Sequence, residues 1–219
     1  MTEHPVARSP PLSRVPPAAT TNPSPPSLVV IGCGALAREL LAILDGVPGV
    51  RLTCLAASLH NRPERIPDAV RARLAEVRAE HGPETRVFVA YADCGTGGAL
   101  DAALEGTGVE RLAGAHCYEA YAGSEAFAAL SDAEPGTFYL TDFLARQFDT
   151  LVWKGLKLDR HPQLVPIMFG NYRRLVYLAQ TDDAGLDALA ADAAARLGLV
   201  YERRLAGIGR LGALLPVVA

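Results

Sequence analysis

Apolar positions change their spacing along this chain in a regular way. SLVVIG (27–32) is an unbroken apolar run that stops at glycine, the signature of a buried strand. ALARELLAIL (35–44) follows with apolar residues at helical spacing. The alternation continues with VRLTCLAA (50–57) as a strand, PDAVRARLAEVRAEHG (67–82) as an amphipathic helix and RVFVAYAD (86–93) as a strand. GGALDAALEGTG (97–108) reads as a helix, VERLAGAHC (109–117) as a fourth, shorter strand and SEAFAALSD (124–132) as a helix. Strands alternating with helices predict an α/β fold: a doubly wound, mostly parallel, Rossmann-like sheet with helices on both faces.

Beyond residue 132 helical spacing dominates, so the C-terminal half is expected to be mostly helical. EPGTFYLTDFLARQFDTLVWKGL (134–156) reads as a turn and then a helix from about Thr141. HPQLVPIMFGNYRRLVYLAQ (161–180) reads as a helix with an interruption at Gly170. LDALAADAAARLGL (186–199) is an Ala-rich helix, LVYERRLAG (199–207) an edge strand and IGRLGALL (208–215) a short terminal helix.

Residues 1–26 differ in kind. They hold eight of the sixteen prolines and have no apolar core segment, so they read as a disordered Pro-rich tail ahead of a single domain at 27–219. The tail is no signal peptide, and no apolar stretch reaches the roughly 18 residues of a membrane helix. Net charge is −3, with no basic stripe to bind nucleic acid. These features predict a cytoplasmic protein, where the four cysteines stay reduced and serve in metal binding, catalysis or plain burial.

The predicted topology places the cysteines. Cys33 follows the first strand, Cys54 lies near the end of the second, Cys94 follows the third, and His116 and Cys117 follow the fourth. Parallel strands end at one edge, and ligands bind in the crevice outside it. Thiols and an imidazole at one rim suit zinc, with iron or an iron–sulfur cluster as alternatives. Burial is the competing reading, strongest for Cys54 between Leu52 and Leu55. No C-x-x-C spacing decides between them.

Other polar residues are placed around that rim. Glu119, two positions past Cys117, and His60 in LHNRP (59–63) are candidate acids or bases, with ordinary surface positions as the alternative. DCGTGG (93–98) opens a helix, and the backbone N–H groups of Gly95 and Gly97 are candidates to hold an anionic part of a small-molecule substrate. Asn171 and Arg174, three apart on the expected helix, are candidates for the same task. GCGALA (32–37) fits a dinucleotide-binding turn, yet no acidic residue follows the second strand to grip a ribose. Nucleotide binding therefore stands as a lesser alternative.

Taken in order, IGCGALAREL, LHNRP, DCGTGG, AHCYEAYAG, EPGTFYLTDFLARQFD and FGNYRRLVYLAQ resemble the family of domain of unknown function 1638, over about residues 27 to 212. The resemblance implies no established activity. It does imply a bacterial or archaeal setting close to corrinoid-dependent methyltransferases for methylamines, and so a role in one-carbon methyl transfer. Either the chain is a metalloenzyme in such a system, or it is an accessory protein that delivers metal or cofactor to a methyltransferase partner.

Overall fold

The structure, a computed structural model, describes residues 25–216. The Pro-rich tail expected at 1–26 falls almost wholly outside the described residues. In chain order the elements are β1 (Leu28–Cys33), α1 (Ala37–Leu44), β2 (Val50–Leu55), α2 (Ile66–His81), β3 (Val87–Ala90), α3 (Ala99–Leu104) and β4 (Glu110–Arg111). Then come α4 (Cys117–Ala122), α5 (Ser124–Ala133), β5 (Thr137–Leu140), α6 (Asp142–Phe148), α7 (Val165–Phe169), β6 (Arg174–Ala179), α8 (Ala184–Leu197), β7 (Val200–Leu205) and α9 (Gly209–Ala213).

The strands form two parallel sheets rather than the single sheet expected from the sequence. One has the order β2-β1-β3-β4, the other β5-β6-β7. Every strand pair is parallel, and helices flank both sheets. All six residues of β1 and all four of β3 are buried, which is what a strand covered on both faces requires. β6, the middle strand of the second sheet, is buried from Leu175 onward. The first core runs from Leu28 through Val89 and takes in Leu211 and Leu215, so the chain returns to its first sheet after β7. The second core gathers Leu140, Phe148, Leu175 and Tyr177 with Ala190, Ala193 and Ala194 of α8.

Two stretches depart from expectation, one read as a turn and one as a helix. TFYL, at 137–140, is a strand ahead of α6, and RLVYLA, at 174–179, is β6. Four residues are too few to show a period. A run such as LVYLA is apolar at every position, so it is helical or extended according to what covers it. The two-sheet partition follows from these missed strands. The fourth strand is also shorter than expected: only Glu110 and Arg111 pair, after which the chain loops through Gly114 into α4. Among the described residues no helix is long and apolar enough to cross a membrane.

Candidate metal centre

Cys33 closes β1 and is 2% exposed. Its sulfur accepts a hydrogen bond from the Ala35 N–H at 3.3 Å, at the start of a 3-10 turn, Gly34–Leu36. Gly34 has to be glycine here, because a Cβ would lie 2.7 Å from the Leu55 carbonyl oxygen of the neighbouring strand. The glycines of GCGALA thus serve close packing: a Cβ on Gly32 would meet Leu40 at 2.6 Å.

His60 comes from a second loop, the 3-10 turn Ala57–Asn61 after β2. Its Nδ1 lies 3.1 Å from the Ala57 carbonyl oxygen, which can only accept, so Nδ1 carries a proton. The Cys33 sulfur lies 3.8 Å from Nδ1 and 4.0 Å from Nε2. The imidazole stacks at 6.0 Å and 12° on Tyr91, the residue that follows β3.

Cys94 comes from a third loop. It takes a left-handed conformation (φ 51°), and the loop is tied to the one after β4. The Asp93 N–H donates to the Gly114 carbonyl at 3.0 Å, and the Cys94 N–H to the Ala115 carbonyl at 2.8 Å. These bonds bring Cys94 beside Cys117, the first residue of α4. Asp93 organises the turn by accepting from Thr96 Oγ1 at 2.6 Å, Gly97 N at 3.0 Å and Gly98 N at 2.8 Å. Those bonds, Thr96 first, hold its carboxyl down to about 2.

The electrostatics mark these side chains as one group. A hydrogen bond from Cys117, opposed by burial and reinforced by His60, pulls Cys94 down to about 5. The same bond, with burial, pushes the Cys117 thiol up. At His60 burial works against the charge, but hydrogen bonds and charge from Cys33 and Cys94 outweigh it and raise the imidazole to about 11.

The remaining sequence candidates lie elsewhere. Cys54 sits in β2 beside Leu40 and Leu52, under α1, and is raised mainly by burial, then by Cys33. His116 is exposed, and its ring joins an aromatic group, 6.1 Å from Tyr118 and 6.4 Å from Phe127. The Glu119 carboxylate accepts from the N–H groups of Ala115 at 2.7 Å and His116 at 3.4 Å, which fixes the entry to α4. Gly95 and Gly97 both have positive φ, and the Gly97 N–H is already taken by Asp93. Asn171 and Arg174 share no helix face. Asn171 lies in a turn, and Arg174 begins β6. Arg174 is spent on Thr137 Oγ1, Glu202 Oε2 and the Leu130 carbonyl, at the amino end of the second sheet.

Tyr91 was not foreseen from the sequence. It is fully buried, and its hydroxyl has no hydrogen-bond partner at normal distance among the described residues. Burial, and then the charge of Cys33, raise its pKa. A polar-tipped aromatic directly after the buried run VFVA was the available signal.

The donor set suits a thiophilic ion. Bonds of about 2.3 Å to sulfur and about 2.0 Å to nitrogen, at the tetrahedral angle, separate S from N by about 3.5 Å. The observed 4.0 Å between Cys33 Sγ and His60 Nε2 is about half an ångström longer. Among the described residues, no group of three or more His, Cys, Asp or Glu side chains is placed to hold a metal ion.

No curated protein matches the chain. The family model that matches covers residues 54–215, which takes in His60, Cys94 and Cys117 and begins after Cys33. The chain belongs to the family described as Protein of unknown function (DUF1638).

Proposed function

We propose that Cys33, Cys94 and Cys117, with His60 as the fourth ligand, hold one zinc ion, with iron as the alternative. What supports this reading is pairwise proximity at the carboxyl end of one sheet: Cys33 Sγ lies 3.8 Å from His60 Nδ1, and Cys94 adjoins both His60 and Cys117. The Nδ1–H bond to Ala57 supports the same reading, because it leaves Nε2 as the ligating nitrogen, as in many histidine–metal sites. The sequence placed His116 and Cys54 at the same rim. His116 joins the aromatic group and Cys54 lies beside Leu40 and Leu52, so His60 is taken as the fourth ligand. Cysteine thiols lose their protons on binding a metal, so metal uptake would be accompanied by proton release.

A zinc bound by thiolates supplies Lewis acidity and lowers the pKa of a coordinated thiol or water. Such chemistry fits an enzyme acting on a small molecule and equally an accessory protein that passes metal to a partner. The finer link to corrinoid-dependent methyl transfer rests on the family resemblance alone. Nucleotide binding gains no support, since Gly32 and Gly34 are filled by Leu40 and Leu55.

The test is cobalt substitution of the metal-free protein. Tetrahedral thiolate coordination gives intense visible absorption at one equivalent of Co²⁺. That absorption should be lost in His60→Ala and retained in His116→Ala. Retention in His60→Ala with loss in His116→Ala would overturn this ligand set.

A further inference from the structure

α5, rich in alanine, buries none of its residues fully. Its residues Ala126, Ala129 and Ala133 recur at helical spacing and form one wall of a cleft of about 640 Å³. Tyr121, Leu130, Leu178 of β6 and Leu205 at the end of β7 add to the apolar lining, and Leu205 is 61% exposed. That volume falls within the range of small-molecule sites, about 300–1,000 Å³. The cleft lies apart from the thiol group: it has none of the four cysteines in its lining.

Its polar lining is one-sided in charge. Arg174, Arg204 and Arg210 all line it. Arg174 and Arg204 share a single carboxylate, Glu202, at 2.9 and 2.5 Å. Arg210 pairs with no carboxylate among the described residues. Its guanidinium lies against the backbone of Gly123, where a Cβ would come within 2.9 Å of Nη1. Arg210 stands at the wall between this cleft and a smaller one that includes Glu125. The lining thus carries three guanidiniums and no carboxylate; Glu202, which pairs with two of them, is not part of it.

We infer that this cleft binds a small amphipathic anion: an acidic head, carboxylate or phosphate, held by Arg210 and Arg204, with an apolar body lying along α5. Guanidinium forks match both head groups. The alanine wall leaves room for a chain or ring that larger side chains would exclude. The site needs no metal and stands whether or not the thiol centre does.

Octanoate, octyl phosphate and octylammonium can be titrated calorimetrically into the full chain below their micellar concentrations. At least one of the two anions should bind saturably at one per chain, with octylammonium bound at least about tenfold more weakly. The tighter anion identifies the head group. Arg210→Ala should weaken that anion about tenfold, the worth of one charge-assisted contact. Ala129→Trp, on the exposed face of α5, should fill the cleft and abolish binding while circular dichroism stays unchanged. The inference is overturned if neither anion binds, if octylammonium binds equally well, or if both variants bind as the parent does. Self-association abolished by Ala129→Trp would give the cleft to a second copy of the chain and would equally overturn it.

Discussion

A buried hydroxyl with nothing to bond is costly, so Tyr91 is the most informative single residue in the molecule. Beside a metal-bound Cys33 thiolate, its O–H would have an acceptor. Tyr91→Phe should leave the fold intact, because the ring still packs on His60, and should weaken metal binding by about tenfold or more, the usual effect of losing a supporting contact. Competition with a chromophoric chelator measures this, and unchanged affinity would remove Tyr91 from the site. Glu39 carries the opposite kind of signal. It is 7% exposed, one carboxylate oxygen has no partner among the described residues, and burial, with a contribution from Asp142, raises its pKa. A raised folded pKa means the folded state holds the proton more tightly than the unfolded one. That gain is complete below the unfolded pKa and vanishes as pH rises through the folded one. Glu39→Gln should therefore raise Tm at about pH 7.5 and change it little near pH 4. Equal effects at both pH values would show that ionisation is not the cause.

At the scale of elements, the turn after β1 depends on one close approach. Gly34→Ala drives a Cβ onto the Leu55 carbonyl, a backbone atom that cannot swing aside. Destabilisation of about 1–3 kcal/mol in urea unfolding is expected, with metal affinity falling as Cys33 shifts. The first sheet was legible in the sequence because its strands stand between helices with clear spacing and end at glycine or polar turns. Rim positions for Cys33, Cys94 and Cys117 followed from that alone. β5 and β6 were not legible: TFYL is too short, and LVYLA is apolar on every face. Treating Asn171 and Arg174 as helix neighbours followed from the second of these. His60 was visible as a polar residue after β2. Its preference over His116 depends on where each ring turns, which spacing cannot tell, and the 3.1 Å contact to Ala57 settles only in three dimensions.

Across the whole molecule, polar groups of the two sheets meet in one interior region. Arg38 and Glu39 of α1, packed on the first sheet, line one cavity with Asp142 and Arg146 of α6 and with Gln180, which follows β6. Asp142, wholly buried at the start of α6, accepts from Tyr177 Oη at 2.7 Å, Gln180 N at 2.9 Å, Thr181 N at 3.1 Å and Thr181 Oγ1 at 2.5 Å. These bonds tie the carboxyl end of β6 to the start of α6. Asp142→Ala strands several buried donors at once and should cost about 3–5 kcal/mol in chemical unfolding. A loss below about 1 kcal/mol would mean that water replaces the carboxylate.

The central claim is that loops from four parts of the chain build one metal centre. Elemental analysis of untagged protein, purified without oxygen or chelator, tests it most directly. The account predicts about one zinc or iron atom per chain in the parent, and a fraction of that in Cys33→Ser, Cys94→Ser and Cys117→Ser variants that keep their circular dichroism. Parent protein that stays metal-free after incubation with either ion, or the three variants holding as much metal as the parent, would contradict it.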